Sequence, residues 1–354
     1  MSCPSRLRRL WREDNGMVAV MVAAMLTVLV GMAGAAVDLG VVYTARGQLQ
    51  NAADAAALAA ADTILRYDSD YTAQVDYDTA WATAQEIAGA NQAVGVNLAL
   101  LESDFVVGKW DPATGTWVAT GGSDPAEVNA VQVTVRRDQR ANSPVGTFFA
   151  GIVGVDRVEL QATARAYVGY AGSVPQGAVA LPIAVKAEAL ANEDGSPDCG
   201  RSLEFHSEPN ENAEWTSFFD WPVNDPTVRE YACGCRPSPE LKVGDQIFVT
   251  NGNLSNHTFQ ELAQRFQEEG TDTDGDGLAD EWMVVLPVVK TGEGHCGCSH
   301  TAEVVGFAYF QVTAVRPAPY KDVVGTLQCG MVVPDSATGG EDFGARADHP
   351  KLIQ

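Results

Sequence analysis

The chain divides first into one long uncharged stretch and everything after it. From Met17 to Val37 the residues are Val, Ala, Met, Leu and Gly with a single Thr27, and none is charged. A helix of that length, rising ~1.5 Å per residue, crosses the ~30 Å hydrocarbon layer of a bilayer. The pattern therefore predicts a transmembrane helix over 17–37. Alanine, the best helix former, dominates the residues that follow, so the helix is expected to continue to about Leu65. Within it Leu49, Ala53, Ala56, Ala57 and Ala60 recur at helical spacing and make a smooth face of small residues. Such a face suits tight packing, either on the protein's own domain or on a partner helix.

Beyond this helix the period changes. A second helix is predicted over Tyr71 to Ala93, with Val75, Ala82 and Ile87 inward and Asp76, Asp78 and Glu86 outward. Phe105 to Trp110 and Thr116 to Thr120 read as strands joined by the turn 111–115. Asn129 to Arg136 and Val158 to Val168 alternate apolar and polar positions, as half-buried strands do. Pro144 to Gly154, with Pro near its start and Gly at its end, predicts a short apolar helix. These elements define a small α+β domain within 38–170, and 171–177 reads as a linker. A second, mostly β domain is expected over 178–334. Its strands are Ala178 to Val185, Gln246 to Thr250, Trp282 to Val289, Glu303 to Val315 and Val323 to Val333, with a helix at His257 to Glu269. The polar residues 335–354 lack apolar periodicity and read as a loose tail.

Charge orients the chain. Arg6, Arg8, Arg9 and Arg12 precede the apolar stretch in a basic segment, 1–16, while acidic residues dominate after Val37. By the positive-inside rule the N-terminus is cytoplasmic and the bulk lies outside, in the periplasm or beyond. A cleaved signal peptide also pairs a basic start with an apolar middle. Its apolar core spans only ~7–15 residues, however, which favours an uncleaved anchor. The net charge of −23 opposes nucleic-acid binding, which needs Lys and Arg to neutralise phosphates. Small residues four apart, Gly31 with Ala35 and Ala36 with Gly40, allow another membrane helix to approach.

Ordered polar positions inside the alanine-rich segment carry a family resemblance. Gly16, the apolar span, Ala36-Val37-Asp38-Leu39-Gly40, Tyr43 and the run from Leu49 through Gln50, Asn51 and Asp54 to Ala61 resemble the N-terminus of TadG-like and TadE-like proteins of the tight-adherence (Flp) pilus system. An echo follows at Asn129 to Val135 and in the Pro-x-x-Thr-Phe-Phe-Ala of Pro144 to Ala150. The resemblance covers the first half. It implies an inner-membrane component that assists assembly or anchoring of a surface pilus, with other pilus-assembly or membrane proteins as partners. Pilin-like precursors are cut after a Gly with Glu five residues on, but Met21 holds that place after Gly16. No Asp-x-Ser-x-Ser metal motif is present.

Two clusters offer chemistry. Asp272, Asp274, Asp276 and Asp280 stand at positions 1, 3, 5 and 9 of a loop with Gly277 at 6, the opening of an EF-hand-like calcium loop. The twelfth position is Met283, so Glu281 or a distant acid must complete the shell. A structural calcium is expected there, the alternative being a solvated acidic turn. Six cysteines, Cys199, Cys233, Cys235, Cys296, Cys298 and Cys329, lie on the exported side, and Cys3 is alone before the span. An even set in an oxidising compartment predicts disulfides. With His295 and His300 the same residues offer zinc ligands, but Cys-x-Cys spacing is tighter than zinc sites use, which disfavours zinc. The chain lacks Gly-x-Ser-x-Gly, His-Glu-x-x-His and a phosphate-binding loop.

The expected fold is a single-pass membrane anchor with a long N-terminal helix, an α+β domain and a mostly β, disulfide-braced domain. The expected function is a non-enzymatic role in pilus assembly or adherence. The alternative is an anchored periplasmic metal-dependent hydrolase or ligand-binding protein using the acidic loop and the Cys/His clusters.

Overall fold

The uncharged stretch and the alanine-rich segment form one helix. The computed structural model describes residues 15–67, 73–112, 114–125, 127–193, 195–206, 212–291 and 300–353. Its first element is the helix Asn15–Thr63, uninterrupted by proline. Met17 starts a stretch long and apolar enough to cross a membrane, and almost none of its most apolar window is buried. Further along, Gly34, Asp38, Ala45, Leu49, Ala52, Ala53, Ala56, Ala57, Ala60 and Ala61 turn inward. Their spacing of three and four keeps them on one stripe of the helix. The small-residue face read from sequence is the buried one.

The chain forms two compact units. The first takes in the described part of Met1–Ala56, with Trp81–Phe105 and Gln132–Ala164. A polar knot stiffens it: Arg136 grips buried Asp104 through both Nε and Nη2, and also reaches Asp138 and Gln161. Arg137 donates to the carbonyls of Ala93 and Ser143. The predicted helix over 71–93 is the shorter Tyr77–Gly89, because Asp76 caps the N–H of Thr79 and Asn91 and Val94 turn the chain. Pro144 to Gly154 is not a helix but a loop. It is closed by the pairing of Val145–Gly146 with Arg157–Val158 and holds one 3-10 turn, Ala150–Val153.

The second unit contains Ala57–Ala80, Val106–Val131 and Arg165–Gln354. Its main sheet closes on itself. Strand Ile183–Lys186 pairs with Ala213–Phe218, that with Gln246–Thr250, that with His300–Arg316, and that with Trp282–Thr291. Trp282–Thr291 then returns, in parallel, to Ile183–Lys186. Asp322–Gln328 and Ser202–His206 extend the sheet from the far end of the long strand. Both faces are covered: Ile183, Val185, Leu286 and Phe310 pack on one side, and Ala184, Val285, Val289 and Phe307 on the other. This explains the near-continuous apolar runs in these strands.

Two expectations are corrected in this unit. The supposed linker overlaps the strand Tyr170–Val174, and residues 335–353 are not a loose tail. Strands Val332–Gly340, Arg346–His349 and Lys351–Ile353 occupy that region. Gly172 is glycine for closeness: an ideal Cβ there would lie 2.6 Å from the backbone of Gly339. The buried positions opposite are Ser336 and Thr338, whose polarity hid the strand's alternation. Cys199 is bonded to Cys329, 130 residues on, and ties the start of Ser202–His206 to the end of Asp322–Gln328.

Candidate functional site: the helix–loop junction and the acidic loop

Asp38 is the first charged residue after the apolar run, and its carboxylate is buried. It accepts three consecutive backbone N–H groups from the loop: Phe148 at 2.8 Å, Phe149 at 2.9 Å and Ala150 at 2.6 Å. The Phe148 N–H, with those of Ala150 and Phe149, outweighs desolvation and holds the Asp38 carboxyl below the ordinary carboxylate range. One turn toward the apolar end, Gly34 meets the ring of Phe149, and an ideal Cβ there would lie 2.6 Å from Phe149 Cγ. Gly34 and Asp38 are four apart, so they share one face of the helix. Further along that helix, Gln48 accepts the N–H of Val94 through Oε1 at 2.8 Å, and Gln50 pairs with Asp54. The sequence signal for Asp38 was its place among ordered polar positions. Gly34 carried none, because small residues surround it at Ala33, Ala35 and Ala36.

The acidic loop joins helix Asn256–Glu269 to strand Trp282–Thr291, and Thr271 bridges Glu281 across its base. Asp272, Asp274 and Asp276 bring carboxylate oxygens within 4.8 Å of one another. Gly275 and Gly277, at φ of 83° and 89°, make the turns that allow this. Asp280 does not join them: its Oδ2 accepts from the N–H and hydroxyl of Thr273 and the N–H of Asp274. The Thr273 hydroxyl and N–H lower the Asp280 pKa. Glu281 is turned away too, accepting from Gln311. The structure thus gathers three of the five predicted ligands.

Of the predicted thiols, Cys233 is bonded to Cys235 and Cys199 to Cys329. His295, Cys296 and Cys298 lie outside the described residues, as does Cys3. Sequence reading missed a buried group at the rim of the closed sheet. Glu214 receives the Asn251 side chain at 2.8 Å, and His300 Nε2 lies 3.1 Å from its other oxygen, with Lys186 at 3.7 Å. These residues come from four separate strands and loops, so no local motif marks them.

Residues 16–63 match the family model of Flp pilus-assembly TadE/G-like proteins. Residues 59–166 match a second model, Tad-like Flp pilus-assembly. Curated proteins and solved structures gave no match.

Proposed function

We propose a role in Flp/Tad pilus assembly as a non-enzymatic, single-pass inner-membrane component, because residues 16–63 match the TadE/G-like Flp pilus-assembly model and residues 59–166 the Tad-like Flp pilus-assembly model. It acts through protein contacts outside the cytoplasm, with other pilus-assembly proteins as partners. The observation that carries this reading is the single helix Asn15–Thr63, apolar and bare at one end and packed along one stripe at the other. A rod of that kind fixes a folded unit at a set height above a bilayer, which is what an assembly platform requires. A clean gene deletion tests it. Loss of surface pili and adherence, restored by the full chain, is expected; wild-type piliation in the deletion strain would overturn the role.

The reading includes a structural calcium in the acidic loop, held by Asp272, Asp274 and Asp276. Alternating carboxylates suit a hard cation that takes 6–8 oxygen ligands, with backbone carbonyls and water supplying the rest. Such a site braces the joint between Asn256–Glu269 and Trp282–Thr291 rather than driving chemistry.

A further inference from the structure

We propose that the loop from Thr147 to Val155 is a second membrane contact, a wedge that enters the lipid interface beside the anchor helix. The inference rests on the helix Asn15–Thr63 crossing a bilayer, as proposed above.

Five observations converge on it. From Pro144 to Val155 the loop has no charged residue. Its large side chains face outward: Phe148 is 75% exposed, Ile152 82% and Val153 80%, with Phe149 and Val155 partly so. A contiguous apolar tip of this kind marks a surface that meets protein or lipid. Depth chooses between the two. Phe149 packs on Gly34, which lies inside the uncharged span, while Asp38 holds the loop backbone one turn above. The ring therefore sits about 6 Å toward the bilayer from Asp38, given ~1.5 Å per residue, in the same loop as the exposed tip.

The backbone is also prepared for a medium without water. Phe148, Phe149 and Ala150 give their N–H groups to Asp38. Thr147 donates to the Asp156 carbonyl, Ile152 to Phe149, Gly154 to Gly151 and Val155 to Ala150. Irregular backbone survives near hydrocarbon only when its polar groups are satisfied this way. Arg157 stands exposed where the loop closes, in the position of an interfacial cation beside lipid phosphates.

The test uses the full chain in vesicles of phosphatidylethanolamine and phosphatidylglycerol carrying a photoactivatable diazirine dissolved in the lipid. Labelled peptides are then mapped by mass spectrometry. Labelling is expected in 17–33 and in 147–155, with the acidic loop at 272–281 as the water-facing reference. In the Asp38→Ala variant, labelling of 147–155 should fall severalfold while that of 17–33 holds. If 17–33 is labelled and 147–155 stays at the reference level, the wedge is overturned while the anchor stands, and the tip is left to a protein partner. If neither is labelled, the anchor reading fails and the wedge with it. Unchanged labelling in Asp38→Ala overturns the lock that sets the loop's depth.

Discussion

At the scale of single residues, two buried ion-bearing groups set expectations of different kinds. Asp38 is tied by three N–H donors, which hold its folded pKa below the ordinary carboxylate range. A depressed carboxyl contributes stability that is complete above its unfolded pKa and vanishes as pH falls through its folded pKa. Hydrogen exchange in nanodiscs should therefore find the amides of Phe148 to Ala150 protected from neutral pH down to about 4, and released only in stronger acid. Asp38→Asn should lose most of that protection at every pH. Arg136 is the opposite case, a cation held by buried Asp104. Arg136→Ala leaves that carboxylate unpaired and should cost ~3–5 kcal/mol in chemical denaturation. Asp38 was legible in sequence as one of the ordered polar positions that carry the family resemblance. The partners of both residues were not, because Phe148 lies 110 positions from Asp38 and Asp104 lies 32 from Arg136.

At the scale of elements, periodicity succeeded where a face is apolar or small and failed where it is polar or its backbone is captured. The helix Asn256–Glu269 was plain, since Phe259, Leu262 and Phe266 are buried at helical spacing behind the Ser255 cap. The segment Pro144 to Gly154 carries the start and stop signals of a helix but does not form one. Asp38 takes its backbone donors, and Gly154 at φ 88° turns the chain back. The two disulfides should differ sharply. Cys199–Cys329 closes a loop of 130 residues, so Cys199→Ser should cost ~2–5 kcal/mol on the chain-entropy account, whereas Cys233→Ser removes a far smaller loop and should cost much less. Denaturation under oxidising conditions separates them. For the acidic loop, calcium should raise the melting temperature with an affinity near ~10⁻⁴–10⁻³ M. Asp274→Asn should abolish that shift while leaving the chelator-treated protein unchanged.

At the scale of the whole molecule, the acidic balance and the basic N-terminal segment support the proposed topology, with the N-terminus cytoplasmic and the bulk outside. Thiol labelling of intact cells and spheroplasts should leave the exported cysteines unreactive until reductant is added, and Cys3 unreactive until the inner membrane is opened. Reduced, membrane-shielded Cys233 would reverse the topology. The β-rich character of the second half was readable from long apolar runs, because strands buried on both faces need them. The closure of five strands into a ring was not, since pairing depends on contacts between distant segments such as Val185 with Val288.

Pinning Gly34 and Asp38 under the same loop also fixes the rotation of the rod about its own axis. Ala36 and Gly40 each lie two residues on, roughly 200° round a helix of 3.6 residues per turn. Nothing stands within 4 Å of where a side chain would grow from Gly40. At the level of Gly34 to Gly40 one flank of the rod is thus covered by the loop and its reverse is open. A neighbouring span that settles close against Ala36 and Gly40 arrives from that reverse side.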